Sequence, residues 1–169
     1  MSPTPPLIHI LAPRIHRTAG RVTLVRAATR AALSQVQVPQ PIELTIRLSD
    51  DDELRILNCD YRGVDTPTDV LSFGGEEFQD GLHLRGGVHL DPCHLGDIII
   101  SMDRCAAQAH EFGHSIDDEL ALLVVHGVLH LCGFDHMNRA RKKIMWQAQE
   151  RAFTLLGRAN PLKPGQFHR

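Results

Sequence analysis

Three histidines in the segment HGVLHLCGFDH have the spacing of metal ligands. His126 and His130 are four residues apart, so on a helix their imidazoles lie on one face, one turn apart. Gly133 permits a tight turn at the end of that helix, which brings His136 back as a third ligand. Three imidazoles suit Zn²⁺ and leave a fourth position for water, whose pKa falls to roughly 7 on the metal. The pattern therefore predicts a catalytic zinc site.

The residue after the first histidine argues against one common use of this spacing. Metzincin peptidases have the motif H-E-x-x-H-x-x-G-x-x-H, in which the glutamate is the general base. This chain has Gly127 at that position. A metzincin-like zinc peptidase therefore stays only an alternative, because it would need a base from elsewhere. Cys132 lies near the second histidine, and we expect it and the other three cysteines to be buried apolar residues.

The periodicity of apolar residues around the histidines indicates one α+β domain over residues 1–169, a small mixed sheet packed with about five helices. Helices are predicted over 17–36, 49–63, 102–112, 115–132 and 139–156, and strands over 42–48, 70–73 and 97–101. The last strand is expected to be central. Capping pairs mark the starts of the second and fourth helices, namely Ser49 with Asp52 and Ser115 with Asp118.

The remaining segments have little periodicity. Residues 74–96 contain six glycines and are expected to form a loop or an exposed hairpin. The proline-rich residues 1–13 are expected to be extended or an edge strand. We expect the two ends, 1–13 and 158–169, to be loose.

Composition restricts the class of protein. The chain has 169 residues, 43% hydrophobic and 22% charged, which fits a globular domain and excludes collagen-like, disordered and coiled-coil chains. Its longest apolar run, 120–125, is far shorter than the ~20 residues of a membrane span. Prolines interrupt the N-terminal apolar residues, so we expect no secretory signal. Four cysteines without a CxxC pair favour a reduced, cytoplasmic location.

Basic residues are concentrated towards the two ends. The net charge is −2, yet residues 1–42 contain five arginines and no acidic residue. Residues 134–169 contain eight lysines or arginines against Asp135 and Glu150. Two interpretations stay open: a basic surface for an anionic partner, or solvated basic faces on the terminal helices.

The histidine segment resembles the signature of the YbeY endoribonuclease family, the bacterial ribosomal RNA maturation factors. Four further stretches agree with that family in the same order: NCDYRGVDTPTDVLSF at 58–73, LGDIIIS at 95–101, GHSIDDEL at 113–120 and LLG at 155–157. The resemblance covers about residues 42–157. It implies an α+β fold and a metal-dependent endonuclease that cleaves single-stranded RNA in ribosome maturation and quality control.

The resemblance also implies roles for individual residues. His126, His130 and His136 would be the metal ligands, and Arg62, in the YRG stretch, would be a functional residue beside them. A guanidinium suits that role because it can hold two phosphate oxygens at once and stabilise the charge that develops there. The chain departs from the family pattern at Val64, at Leu122 and in the basic run that follows His136.

Several further residues are candidates with a structural alternative. Asp135 is expected either to orient a ligand imidazole by accepting its second N–H or to cap the last helix. His114 is a candidate proton shuttle in the metal cleft, or else a surface histidine at a helix start. Aromatic residues that could stack a base are Tyr61, Phe73 and Trp146, although we expect core roles for most of them. The candidate RNA-binding residues are Arg62, Arg139, Arg141, Lys142 and Lys143.

The histidine spacing and the composition, together with what the resemblance implies, lead us to expect a cytoplasmic, zinc-dependent, single-strand-specific endoribonuclease acting on ribosomal RNA precursors. Its expected partners are RNA and the small ribosomal subunit or assembly factors, with no DNA and no membrane. One alternative is the metzincin-like peptidase. The other is a non-enzymatic ribosome-assembly factor whose metal is structural, which a fourth protein ligand such as Cys132 would support.

Overall fold

A computed structural model describes residues 5–36, 41–75 and 92–163 of the chain. Its strands are β1 (Leu7–Leu11), β2 (Ile42–Ser49), β3 (Val70–Gly74) and β4 (Cys93–Ser101). Its helices are α1 (Ala19–Leu33), α2 (Asp51–Arg62), α3 (Met102–Phe112), α4 (Ile116–Leu131) and α5 (Arg139–Leu155). The predicted α+β class and the five predicted helices are confirmed.

The four strands form one mixed sheet in the order β1-β2-β4-β3. The strands β1, β2 and β4 are parallel, and β3 is antiparallel to β4. The predicted central position of β4 is confirmed, since Ile98 pairs with Ile46 of β2 on one side and with Ser72 of β3 on the other. The strand β4 has β2 and β3 on its two sides, and helices α4 and α2 pack against its two faces. It is therefore apolar along most of its length.

The strand β4 begins four residues before the predicted start at Asp97. Its pairing with β2 starts at Cys93, and the register shifts between Glu43 and Leu44. Gly96, opposite the shift, has a φ of 140°. This irregularity breaks the alternation of apolar and polar residues, so residues 93–96 have no strand pattern in the sequence. Residues 76–91, the rest of the expected loop, lie outside the described residues.

Both chain ends contact the rest of the domain where the structure describes them, and the edge strand expected within residues 1–13 is present. Residues 7–11 form the edge strand β1, with Ile8 and Ile10 buried. At the other end, Leu162 is buried, and Arg158 Nη1 lies 2.5 Å from an oxygen of Asp118 in α4. The sheet edge and this ion pair provide partners that the local sequence does not reveal. Residues 1–4 and 164–169 lie outside the described residues.

Helix α4 is the centre of the core. Every residue from Leu120 to Val125 is fully buried, because α1, α3 and α5 surround α4 on the sides that do not face β3 and β4. A helix that is apolar on all sides is stable only in such a position. Helix α2 lies on the opposite face of the sheet, over a smaller cluster of Leu54, Leu71 and Ile99. In the ranges described, the structure has no helix with the length and apolar character required to cross a bilayer.

Capping residues start both α2 and α4. The hydroxyl of Ser115 accepts a hydrogen bond from the backbone N–H of Asp118 at 3.0 Å, as the capping pair predicts. At α2 the cap is Asp50 rather than Ser49, since Asp50 Oδ1 accepts from the N–H of Glu53 at 3.0 Å. Ser49 stays in β2 because its backbone continues the pairing with β4.

Candidate metal centre

The three histidines of the motif converge at the end of α4. The Nε2 atoms of His126 and His130 are 2.9 Å apart, and their ring centroids are 4.5 Å apart. The ring of His136 lies 5.6 Å from the ring of His126 and 5.1 Å from that of His130. One ligand nitrogen from each ring lies within 4.8 Å of the other two. A single ion can therefore contact all three imidazoles, so the predicted juxtaposition is present.

A buried glutamine fixes the orientation of His126. Gln149, in α5, is fully buried, and its Oε1 lies 2.8 Å from Nδ1 of His126. An amide oxygen only accepts hydrogen bonds, so Nδ1 carries the proton and Nε2 keeps its lone pair towards the other histidines. This is the protonation state that a metal ligand requires.

His130 is held in its neutral form. Burial lowers the pKa of His130 below its ordinary value, and the nearby charge of His136 acts in the same direction. A hydrogen bond to the backbone of Phe134 opposes this shift in the pKa without reversing it. Because a metal binds only the neutral imidazole, the lowered pKa favours metal binding at neutral pH.

Cys132 does not belong to the cluster. It is buried, as expected, and burial raises the pKa of its thiol to about 12. Within the described ranges, the only group of three or more metal-ligating side chains is the histidine cluster itself. Cys93 and Cys105 are also buried as expected, whereas Cys59 is exposed on α2, which corrects the expectation for that residue.

Gly127 is closely packed at the position where a metzincin has its glutamate. A Cβ at this position would lie 3.0 Å from Cγ2 of Ile98 and 3.2 Å from Oγ of Ser72. Residue 127 thus faces the sheet, whereas His126 faces the other two histidines. A side chain at this position would require the side chains of Ile98 and Ser72 to shift.

Arg62 belongs to α2, and it is near enough to the cluster for its charge to act on His130. It is the last residue of α2, which ends because Gly63 adopts a left-handed conformation with φ 70°. The buried Asn58 donates a hydrogen bond from Nδ2 to the carbonyl of Thr66 at 2.8 Å and fixes the turn that follows. The charge of Arg62 is one of the causes that lower the pKa of His130. Its exposed guanidinium makes no hydrogen bond or ion pair with any residue that the structure describes, so it is available to a ligand.

Asp135 has neither of its two expected roles. Its Oδ1 accepts from the backbone N–H of Met137 at 3.1 Å, and its Oδ2 forms an ion pair with Arg141. The Met137 hydrogen bond is the main cause that lowers the pKa of Asp135, and Arg141 adds to it. Asn138 caps α5 instead, accepting from the N–H of Arg141 at 3.0 Å. Gln149, not Asp135, orients a ligand imidazole, because α5 folds back over α4 and places a buried amide there.

His114 is paired at the start of α4. Its Nε2 forms an ion pair with the fully buried carboxylate of Glu119, and its ring stacks on Phe112. Glu119 precedes His126 by seven residues, about 10 Å along a helix. The structure thus associates His114 with the first turn of α4 and not with the histidine cluster. Its shuttle role stays a prediction, without a described contact that supports it.

The basic run begins α5, directly after the third ligand. Helix α5 has no acidic residue in its first turn, so nothing offsets the positive end of its dipole there. Arg139, Arg141 and Lys143 are exposed, while Lys142 is half-buried. Arg141 is partly committed to Asp135. A strongly positive surface therefore adjoins the cluster.

Comparison with known proteins identifies the family. The sequence model described as Endoribonuclease YbeY matches residues 15–157. The chain belongs to the YbeY endoribonuclease family. An Endoribonuclease YbeY of Chloroflexus aurantiacus is 50% identical over 136 residues, which are 79% of this chain and 86% of that protein. Another, of Geobacillus thermodenitrificans, is 41% identical over 140 residues, or 83% and 89% of the two chains.

A solved structure agrees with the fold. The solution structure of TM1509 from Thermotoga maritima superposes with a TM-score of 0.54 at 23% sequence identity. The match covers 95% of this chain and 100% of that one. Together with the YbeY match, it confirms the predicted family and fold. The YbeY match begins at residue 15 and so extends well before residue 42, where the resemblance identified in the sequence begins.

Membership of the YbeY family confirms the predicted enzyme class, an endonuclease among the hydrolases. It agrees with the position of the histidine cluster, whose residues all lie inside the matched range. Gln149 lies inside it too, and sequence reasoning missed this residue. A signal was available, since Gln149 is a polar residue on the apolar stripe of Met145, Ala148 and Ala152.

Proposed function

We propose that this chain is a zinc-dependent endoribonuclease that cleaves single-stranded RNA, with ribosomal RNA precursors as its substrates. The observation that carries the proposal is the convergence of three imidazoles, one of them oriented by Gln149, with an unpaired guanidinium beside them. The first feature suits metal-assisted hydrolysis, and the second suits a phosphate group. Neither requires a base or sugar of particular identity, which fits a nuclease of broad sequence range.

Zinc is the ion that the donor set favours. Three imidazole nitrogens without a carboxylate among them are borderline ligands, which suit Zn²⁺ better than Mg²⁺ or Ca²⁺. When bound, zinc lowers the pKa of a coordinated water and supplies the hydroxide for hydrolysis at neutral pH. His126, His130 and His136 would hold the ion and leave one position open.

The protein groups around the ion divide the remaining work. Gln149 holds His126 in the tautomer that presents Nε2, and burial keeps His130 neutral. Arg62 would bind the non-bridging oxygens of the scissile phosphate and stabilise their charge as it increases. The basic run of α5 would contact phosphates further along the strand.

Both alternatives lack a structural feature that they need. A peptidase of the metzincin kind needs its glutamate, and position 127 holds a glycine that packs closely against the side chains of Ile98 and Ser72. A structural zinc needs a fourth protein ligand, and the described residues offer none at the cluster. The proposal for a catalytic metal is the one that this site supports best.

The setting of the activity is part of the proposal. We infer that the enzyme works in the cytoplasm during maturation and quality control of the ribosome, with the small subunit or its assembly factors as partners. The segregation of basic residues supports an RNA partner, because the basic run adjoins the metal cluster. We propose RNA rather than DNA as the substrate on the family match alone.

Metal analysis combined with RNA cleavage tests the proposal. The purified protein is expected to contain close to one equivalent of zinc and to cut an end-labelled single-stranded RNA internally. Chelation is expected to abolish cleavage, and zinc is expected to restore it better than magnesium. Three comparison substrates are used: a DNA strand of the same sequence, the same RNA within a duplex, and casein. Full cleavage by the metal-free protein, or cleavage of casein alone, would contradict the proposal.

A further inference from the structure

Tyr61 is a large aromatic residue that the fold leaves in solvent. The sequence favoured core roles for most aromatic residues, and Phe73 and Trp146 do pack against the two core clusters. Tyr61 is the exception, since its side chain is 69% exposed. An exposed aromatic ring forgoes the free energy that its burial would contribute to folding.

The ring of Tyr61 is nevertheless held in place. Leu54, Leu57 and Tyr61 follow one another on one face of α2, at helical spacing. Leu54 and Leu57 pack into the cluster over β3, and Phe73 lies at its edge. The rings of Tyr61 and Phe73 are 4.8 Å apart and inclined by 59°, a favourable aromatic contact. Tyr61 thus extends the buried face of α2 beyond the edge of the core, supported from one side only.

This ring adjoins the residue proposed to bind the scissile phosphate. Tyr61 and Arg62 are consecutive in the last turn of α2, and Gly63 ends the helix immediately afterwards. Phe73 follows Ser72 in β3, and Oγ of Ser72 lies 3.5 Å from the carbonyl oxygen of Gly127, the residue after His126. A nucleotide whose phosphate contacts Arg62 therefore has its own base, or that of its neighbour, close to the ring of Tyr61.

We propose that Tyr61, supported by Phe73, is the surface on which an unpaired RNA base stacks when the adjacent phosphate binds Arg62; this inference rests on the proposed function. Every base has an aromatic face, so such a contact tolerates any sequence. A base within a duplex is already stacked and paired, so it is not available to Tyr61. Tyr61 is then a substrate-binding residue that contributes to preference for single strands.

Fluorescence of 2-aminopurine in a single-stranded RNA measures the contact directly. Chelator-treated protein is used so that the strand stays intact, and gel analysis verifies this. Quenching is expected for wild type when 2-aminopurine occupies one particular position of the strand. Tyr61→Ala is expected to lose that quenching and to bind RNA roughly tenfold more weakly, within the range of base–aromatic stacking. Tyr61→Trp is expected to retain both properties, and Ile56→Ala, which removes another exposed apolar side chain from α2, is the matched control.

An abasic nucleotide provides a test that does not depend on how a variant folds. Replacing the stacked base by an abasic residue is expected to weaken binding by wild type and to have no further effect on Tyr61→Ala. Equal decreases in affinity in both proteins, or unchanged binding and quenching in Tyr61→Ala, would overturn the proposal. If wild type cleaves RNA and Tyr61→Ala binds RNA and quenches 2-aminopurine as wild type does, only the stacking role is refuted. Wild type that neither binds nor cleaves RNA refutes the proposed function and the stacking role with it.

Discussion

The amide oxygen of Gln149 lies 2.8 Å from Nδ1 of His126, and both side chains are buried. The contact joins α5 to α4 at the ligand that is least accessible to solvent. It leaves the Nε2 of Gln149 without a hydrogen-bond partner among the described residues, so the amide serves this one imidazole. A buried polar atom without a partner lowers stability, and such a cost is typical of a functional site.

Removal of the Gln149 amide is expected to weaken metal binding without removing a ligand. Gln149→Leu keeps the approximate volume but frees His126 to adopt the other tautomer. We expect zinc affinity to fall about 10- to 100-fold, as for other residues that orient metal ligands. Competition with a chromophoric chelator measures the change. Gln147→Leu, an exposed position on the same helix, is the control; equal affinities in the two variants would remove the orienting role.

Removal of a ligand histidine is expected to weaken zinc binding more than removal of Gln149, which only orients a ligand. His130→Ala leaves two imidazoles, which hold the ion poorly, so the purified variant is expected to lose most of its zinc. His110→Ala, an exposed histidine of α3, is expected to keep it. Metal content per chain decides the matter, and full occupancy in His130→Ala would show that the ligand assignment is wrong.

The metal ligands could be predicted from the local sequence. The positions of the groups around them could not, because those positions depend on tertiary contacts. The bounds of α4 follow from Ser115 and the glycine after its end, so the helix, and with it the histidine pair, could be predicted to within one residue. The contact of His126 with Gln149 depends on how α5 packs against α4, and the pairing of Asp135 with Arg141 depends on the turn between these two helices. The proximity of Arg62 to His130 depends on α2 crossing the sheet, which no spacing in the sequence encodes.

The guanidinium of Arg62 is expected to be necessary for cleavage and unnecessary for folding. Arg62→Ala and Arg62→Lys should both lower the rate of RNA cleavage strongly, because lysine keeps the charge but not the planar fork that holds two oxygens. Zinc content and the thermal unfolding midpoint should stay at wild-type values, since Arg62 is exposed. Wild-type cleavage by the lysine variant would exclude bidentate recognition of the phosphate.

The four cysteines are expected to differ sharply in reactivity. At neutral pH we expect one rapid equivalent with a thiol reagent, from the exposed Cys59, and none from the native protein when Cys59 is serine. Burial raises the pKa values of Cys105 and Cys132 to about 12. Unfolded thiols ionise near pH ~8.5, so ionisation favours the unfolded state and stability falls as pH rises from about 9 towards 12. Rapid labelling of two or more thiols in folded protein would contradict the described burial.

The basic residues at the start of α5 are expected to contribute to RNA affinity only by neutralising phosphates. Arg139 and Lys143 are the members of the run that are exposed and make no ion pair with a described residue, whereas Arg141 is held by Asp135. The salt dependence of binding to a single strand has a slope of about 0.7 for each phosphate that the protein neutralises. Arg139→Gln together with Lys143→Gln should therefore lower affinity and reduce the slope by about 1.4 if both side chains bind a phosphate.

Zinc content should not change in this double variant, because neither side chain is a ligand. Arg151→Gln, on the same helix but nearer its end and bound to Gln35, is the charge-matched control for one substitution. Binding measured across a salt series separates the outcomes. An unchanged affinity and slope would mean that the run is a solvated helix face. RNA would then have to approach along the arginines of the N-terminal region, where five of them lie without an acidic residue.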